Sequence, residues 1–527
     1  MQKYVSANKQ EWVLLGTIAL MLLLPTLYHV WWFREDIFSF LLTGAIVVFT
    51  FAGALLCIPW RTVRWAVFTL LFVVSLFELA HMLVYNGDLS SAGYVRSLFM
   101  TTPYEADGAV GRIIMQHIVF ISLLLVFYIL ISIQIFVTRP TTKTTLWVSV
   151  GSGALLFALL ICCYNKVIYR PPLNIYTQMI EAVHQCKERN NLVNEEDVFN
   201  YNAHRTEYKS DKEVYLLIMD ESLRYDHVSL DGEKYRLTMP HMGKQKNLIM
   251  YSNYYTAGVF TMYAVPMLVT RATPSDFVRS YSESGVQQAY AEVGFKTVWL
   301  TNEAQLVSDG VSDYIARGAE IVRIKRDMDV PAAVDSLCCE YEKLFIIVHL
   351  WGNHQYYLNT NSAISLYFPD VSTCSAVHGE EMYNNAYDNA ILYTDSMLFA
   401  LTDVLLKQGG ISQWIFTSDH GEGPIGRNGG AHGFSSPYES EYHVPLIVWY
   451  NDGYAEAYPD KMANVFKHKD EPVCADHIFW SVLDLAGIRI DSTLQQDGMS
   501  IFGDTLPPHR RTLLLPDGKG VIGLDSM

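Results

Sequence analysis

The sequence predicts a chain in two parts, a membrane α-helical bundle of five spans followed by an α/β/α sandwich. Three observations lead there. The 527 residues are 50% hydrophobic but only 17% charged, against about 25% charged for an ordinary soluble chain. The first third holds five apolar stretches near the ~20 residues that a spanning helix needs. The remainder carries short continuous apolar runs alternating with helical patterns, as in strands buried on both faces of a sheet.

The spans are expected at Trp12 to Trp31, Ile37 to Ile58, Val63 to Tyr85, Met115 to Val137 and Leu146 to Tyr164. The first lacks a small-residue cleavage site and more spans follow it, so it reads as a retained anchor. Lys3, Lys9, Arg61, Arg64, Arg139 and Lys143 fall on one side of these spans. By the positive-inside rule the amino terminus is cytoplasmic, and everything after Tyr164 lies outside the cytoplasm. A net charge of −16 argues against a nucleic-acid partner, which demands basic patches.

The expected organisation is a transmembrane domain over 1–165, a bridging interfacial segment over 166–212 and an exported domain over 213–527. In the loop from Asn86 to Arg112, Ser97, Thr101 and Glu105 recur every four residues. On a helix that spacing puts two hydroxyls and a carboxylate on one face, suited to a lipid headgroup amine or simply to water. Ile175 to Val183 has the spacing of an amphipathic helix in the interface plane. Glu78 and His81 lie one turn apart in the third span and read as a pair or as interfacial residues, too few for a transport path. Cys186, Cys338, Cys339, Cys374 and Cys474 fall in the exported part, where disulfides are permitted and no spacing dictates one.

From Glu213 onward the expected strands are VYLLIMD, KTVWLTN, KLFIIVHL, QWIFTSD and VPLIVWY, with helices at Ser282 to Val293, Ala386 to Leu406 and Ala475 to Ala486. Polar residues cluster where these runs stop. Glu221 follows the first, His354 follows the third, and Asp419 and His420 follow the fourth. Strand ends of an open α/β sheet converge on one crevice. The stretch WIFTSDHGEGPIGRNGGAHG, Trp414 to Gly433, then brings His432 back through a glycine-rich loop, a layout suited to a metal site. Thr256 and Thr261 offer a nucleophilic hydroxyl near a helix start, where the dipole and open N–H groups suit an oxygen that will carry phosphate; an N-cap is the alternative role.

Six short runs in order, I-M-D-E-S-L-R, T-M-Y-A-V-P-M, H-L-W-G-N-H, Y-D-N-A-I-L-Y-T-D, S-D-H-G-E and H-V-P, resemble the membrane-bound phosphoethanolamine transferases of Gram-negative bacteria, within the alkaline phosphatase and sulfatase superfamily. The resemblance covers the whole chain. It implies an alkaline phosphatase/sulfatase-like catalytic domain in the periplasm, anchored in the bacterial inner membrane. It also implies that Glu221, Asp419, His420 and the Thr261 hydroxyl bind Zn2+, with Thr261 the nucleophile. By the same resemblance His354 and His432 contact the phosphoryl group or a second zinc, Asn302 lies near the headgroup, and Ser97, Thr101 and Glu105 touch the substrate.

The implied reaction moves phosphoethanolamine from phosphatidylethanolamine to a cell-envelope glycan or lipid A/lipopolysaccharide acceptor through a phospho-threonine, releasing diacylglycerol. The sequence departs from the family at Ala257 and Met267, where cysteines often flank the nucleophile, at Asp220, where glycine is usual, and at Leu306, where lysine is expected. Two alternatives remain open: a phosphoglycerol transferase or phosphodiesterase of the same superfamily, and a non-catalytic membrane sensor or scaffold.

Overall fold

The computed structural model describes residues 2–33, 37–85, 103–138, 143–168, 173–192, 199–205, 208–302, 315–354, 368, 380–425, 432–434 and 436–525. It divides into two compact units, one running to Gln185 and the other from Cys186 to Met527.

The first unit is helical: α1 (Gln2–Phe33), α2 (Ile37–Cys57), α3 (Arg61–Tyr85), α4 (Pro103–Val137), α5 (Lys143–Ile168) and α6 (Leu173–Leu192). Lys9–Trp31, Ile37–Cys57, Arg61–Leu79 and Ile118–Val137 are long and apolar enough to cross a membrane, and α5 contributes a shorter described apolar stretch, Ser149–Cys162. Leu14, Ile18 and Leu22 of α1 pack with Val48 and Leu55 of α2, Phe68 and Phe72 of α3, and Ile131 and Ile135 of α4. Small residues set the closest approach. A Cβ at Gly53 would lie 2.6 Å from Ser149 Oγ, so α2 and α5 meet backbone to backbone. Glu78 is buried and accepts a hydrogen bond from Asn174 Nδ2 of α6. The side chain of His81 lies outside the described residues, so the expected pairing with Glu78 cannot be placed.

The second unit is built on a sheet whose strands are β1 (Glu213–Asp220), β2 (Leu248–Tyr251), β3 (Lys296–Asn302), β4 (Glu320–Ile324), β5 (Lys343–His349), β6 (Ile411–Ser418) and β7 (Leu446–Tyr450). Their spatial order is β2-β7-β6-β1-β5-β3-β4. β1 runs parallel to both neighbours, with Asp220 opposite Ser418 and Met219 opposite His349. β7 pairs antiparallel to β6 and β2.

Every residue of β1 and β6 is buried, which is why these strands read as unbroken apolar runs. Val214, Leu216 and Ile218 join one core with Val334, Cys338 and the buried side of α8 (Glu380–Gln408). The alternate residue Tyr215 turns to the other face, against Tyr290, Phe295 and Tyr454. Pleating alone sends successive side chains to opposite faces, and helices cover both. By length and composition α8 too could cross a membrane, yet it packs on the sheet as the sandwich requires.

The helix expected at Ser282 to Val293 is shorter. Only Gln287–Glu292 is α-helical, after a 3-10 segment at Pro274–Tyr281, and Gly285 sits between them where the propensity is poor. At Ala475 to Ala486 a 3-10 turn, Ala475–His477, precedes the helix Ile478–Leu485.

Candidate metal centre and nucleophile

The carboxyl ends of β1 and β6 lie side by side, so their following residues share one crevice. Asp419 N–H donates to the Asp220 carbonyl at 3.0 Å, carrying the strand pairing one step past β6. Ser222 then turns the chain with φ of 59°, a left-handed conformation uncommon outside glycine. That turn is held by three bonds: Ser222 N–H donates to Asp419 Oδ1 at 3.2 Å, Leu223 N–H donates to Ser418 Oγ at 2.8 Å, and Tyr387 O–H donates to the Ser222 carbonyl at 2.6 Å. Glu221, at the bend, points into the crevice and accepts from Ser222 Oγ at 2.9 Å.

Glu221, Asp419 and His420 are fully buried or nearly so, with donor atoms within 4.8 Å of one another. His420 Nε2 stands 3.3 Å from Glu221 Oε1 and 3.4 Å from Asp419 Oδ2. The other ring nitrogen, Nδ1, donates to the Gly421 carbonyl at 2.9 Å, which fixes the ring and leaves Nε2 facing the carboxylates.

Thr261 is the first residue of α7 (Thr261–Val269). Its Oγ1 donates to Glu221 Oε2 at 3.1 Å and lies 3.4 Å from His420 Nε2. The N-cap is Phe260, whose side chain makes no capping bond, so the Thr261 hydroxyl is not used as a cap. Thr256, in contrast, is wholly buried and donates to the Asp419 carbonyl.

The electrostatics follow from burial and proximity. Burial opposes ionisation of Glu221, yet the neighbouring imidazolium of His420 outweighs it and holds that carboxyl well below its ordinary range. Burial and then the Glu221 charge push Asp419 up. Burial would lower His420, but Asp419 and Glu221 override it and raise the imidazole to about 10. The metal-free cluster thus favours a Glu221 carboxylate beside a His420 imidazolium, with the Asp419 carboxyl biased toward its protonated form. Asp419 Oδ2 is buried and accepts no hydrogen bond among the described residues. Two carboxylates, an imidazole and a hydroxyl converging on such an oxygen fit a divalent cation, and the donor set is one that zinc takes.

His432 packs beside this cluster, its ring 4.1 Å from that of His420 and its Nδ1 3.3 Å from Glu422 Oε1. Burial and the His420 charge lower its pKa. Gly433, with φ of 79°, lets the chain pass Phe260, since a Cβ there would lie 2.2 Å from the ring. Glu441 secures the end of this loop by accepting from the N–H groups of Gly433, Phe434 and Tyr438.

His354 stands against Trp351, with ring centroids 4.3 Å apart, and acts electrostatically on Glu221. Its loop is shaped by Asp327, which accepts from Trp351 N–H at 3.0 Å and Gly352 N–H at 2.9 Å. Asn302 Nδ2 donates to the same carboxylate at 3.1 Å, so Asn302 supports that loop. Ser97 and Thr101 lie outside the described residues, and Glu105 falls on α4 with its side chain outside them. The buried groups that sequence reasoning missed are Glu422, Glu441, Asp327 and Ser222. Glu422 stood within S-D-H-G-E and could have been found; Asp327 and Glu441 carry no local signal.

The family model described as Sulfatase matches residues 213–488. A protein of Escherichia coli K12 named as a transferase, YhbX, is 28% identical over 69% of each chain. Phosphoethanolamine transferase EptC of the same strain is 23% identical over 80% of this chain and 79% of its own. Among solved structures, the integral membrane lipooligosaccharide phosphoethanolamine transferase A of Neisseria meningitidis aligns with a TM-score of 0.71 at 16% identity, covering 92% of this chain and 98% of that one. The zinc complex of the C-terminal periplasmic domain of Escherichia coli EptC aligns at 0.53 with 19% identity, over 63% of this chain and 98% of that one. With more than half of its length matched by that model, from β1 through the site-bearing strand ends, the chain belongs to the sulfatase family.

Proposed function

We propose that this chain is a zinc-dependent phosphoethanolamine transferase that takes its headgroup from phosphatidylethanolamine and passes it to a glycan or lipid A-type acceptor in the cell envelope. The observation that carries the reading is Thr261 Oγ1, at the start of α7, 3.1 Å from Glu221 Oε2 and 3.4 Å from His420 Nε2. The similarity to proteins named phosphoethanolamine transferases supports the substrate class. We place 1–165 in the bacterial inner membrane with a cytoplasmic amino terminus, 166–212 at its surface and 213–527 in the periplasm.

Glu221, Asp419, His420 and Thr261 would hold the zinc. Bound there, zinc supplies Lewis-acid stabilisation of phosphoryl charge and lowers the pKa of a coordinated hydroxyl. The chain's own groups do the rest. Glu221 Oε2, already accepting the Thr261 O–H, orients the oxygen and draws its proton. The start of α7 favours negative charge on the attacked phosphoryl group. The bond from Thr261 Oγ to phosphorus forms as the bond to the diacylglycerol oxygen breaks, and His354 or His432 gives that oxygen a proton. An acceptor hydroxyl then attacks the same phosphorus, giving its proton back to that imidazole, as the bond to Thr261 Oγ breaks and Thr261 regains its proton from Glu221. This two-step transfer splits one hard displacement into two.

Intact-mass spectrometry of purified protein incubated with phosphatidylethanolamine, and separately with phosphatidylglycerol, tests the reading. A phosphoethanolamine mass mapped to Thr261 is expected. A phosphoglycerol adduct would replace the donor and move the chain to the phosphoglycerol transferases. No adduct, with no bound zinc, would favour a scaffold.

A further inference from the structure

Away from the catalytic crevice, Cys474, Asp476 and His509 bring a sulfur, a carboxylate oxygen and an imidazole nitrogen within 4.8 Å of one another. We propose that they form a second, structural site for a soft divalent cation of the zinc class, one that braces the nucleophile's helix. The donor set is a zinc set. Cys474 is 2% exposed and carries a free thiol. His509 Nε2 lies 2.9 Å from Asp476 Oδ2, and the Asp476 side chain is only 7% exposed. The other carboxylate oxygen, Asp476 Oδ1, is buried without a hydrogen-bond partner among the described residues. An ion pair between Asp476 and His509 accounts for one carboxylate oxygen and leaves the second without a partner among the described residues; a cation uses it together with the thiol beside it.

The surroundings suit that reading. His477 Nδ1 sits 3.4 Å from Cys474 Sγ and accepts from Cys474 N–H at 3.2 Å. His509 is 29% exposed, so water can complete a tetrahedral shell around three protein ligands.

The position gives the site its purpose. Val473 and Cys474 pair parallel with Tyr254 and Tyr255. The segment that follows His509 returns to the same loop, with Leu514 N–H donating to the Ala257 carbonyl at 2.8 Å and bridging Gly258. The turn Ala475–His477 and the helix Ile478–Leu485 both pack on α7. A cation at Cys474, Asp476 and His509 therefore ties together two segments attached to the stretch that delivers Thr261.

Cobalt(II) titration of the reduced, metal-stripped full-length protein in detergent tests this, because a thiolate ligand to cobalt gives a near-ultraviolet charge-transfer band that carboxylate and imidazole ligands do not. The band is expected in the wild type and in Asp419→Asn, absent in Cys474→Ser, and shifted to at least about tenfold higher cobalt concentration in His509→Gln. In the Asp419→Asn background, cobalt should raise the thermal midpoint, and adding Cys474→Ser should abolish that rise. Absence of the band in the wild type, or its persistence in Cys474→Ser, would overturn the proposal. Retained circular dichroism in the serine variant separates loss of the ligand from loss of the fold.

Discussion

Gly352 stands so close to Asp220 that a Cβ on it would lie 1.7 Å from Asp220 Oδ1 and 2.8 Å from Glu221 N, and its φ of 52° is left-handed. The loop bearing His354 and the bend bearing Glu221 are thus packed backbone to side chain. Gly352→Ala must push them apart, with strain of order 1–3 kcal/mol. Zinc content, read by elemental mass spectrometry, and the thermal midpoint should both fall. Wild-type values for both would show that this contact does not set the position of Glu221.

Thr261→Ala should abolish transfer and the covalent adduct while leaving the fold intact, since the hydroxyl caps nothing and Thr261 is itself only partly buried. The expected loss in turnover is at least about a thousandfold, as for removal of a nucleophile. Headgroup transfer near the wild-type rate in this variant would remove Thr261 from the mechanism. Thr261→Ser should keep part of the activity because the oxygen remains.

Zinc uptake should release protons. In the metal-free site His420 is raised to about 10 by Asp419 and Glu221, and Asp419 is also raised, by burial and Glu221. His420 is raised above its unfolded value, so the stability from its imidazolium is fully present below about 6.5 and is lost as pH rises through about 10. Zinc needs the neutral imidazole, so its affinity should climb over that same window while metal-free stability declines. Calorimetry at pH 7 in buffers of different ionisation enthalpy should show about one to two protons released per zinc. No release would mean that the ligands are already deprotonated.

Asn302→Asp should be destabilising, and more so as pH rises. Asn302 Nδ2 donates to Asp327 Oδ1 at 3.1 Å; aspartate there sets two buried carboxylates together, at a cost of about 1–3 kcal/mol for the lost donor before repulsion is counted. Burial already pushes Asp327 up, so the pair can share a proton in acid and must repel above it. Asn302→Ala should cost less and show no such pH dependence. If Asn302→Asp and Asn302→Ala unfold alike at every pH, the contact with Asp327 does not govern the effect.

Several features were legible because local rules suffice for them. An unbroken run such as VYLLIMD marks a strand buried on both faces, and β1 is that strand, with Glu221 just past its end. Parallel neighbours bring their carboxyl ends together whatever the loops do. That is why Glu221, Asp419 and His420 could be expected in one crevice from order alone. The apolar lengths of the first third likewise follow from the thickness that a span must cover.

Register and packing decided the rest. Which oxygens face His420 depends on Asp220 pairing with Ser418 and on the left-handed turn at Ser222, neither of which has a periodic signature. Asn302 ends β3 and Asp327 lies just past β4, and their bond exists only once those two strands pair with Asn302 opposite Ile324. The same holds for Cys474, Asp476 and His509, whose juxtaposition comes from the C-terminal segment folding back toward Ala257. The sequence by itself determined the spans, the buried strands and the ligand types at their ends, because these depend on short-range periodicity. Only the tertiary structure decided which of those side chains meet and which merely hold a loop, because contacts between distant segments depend on strand order, register and close packing.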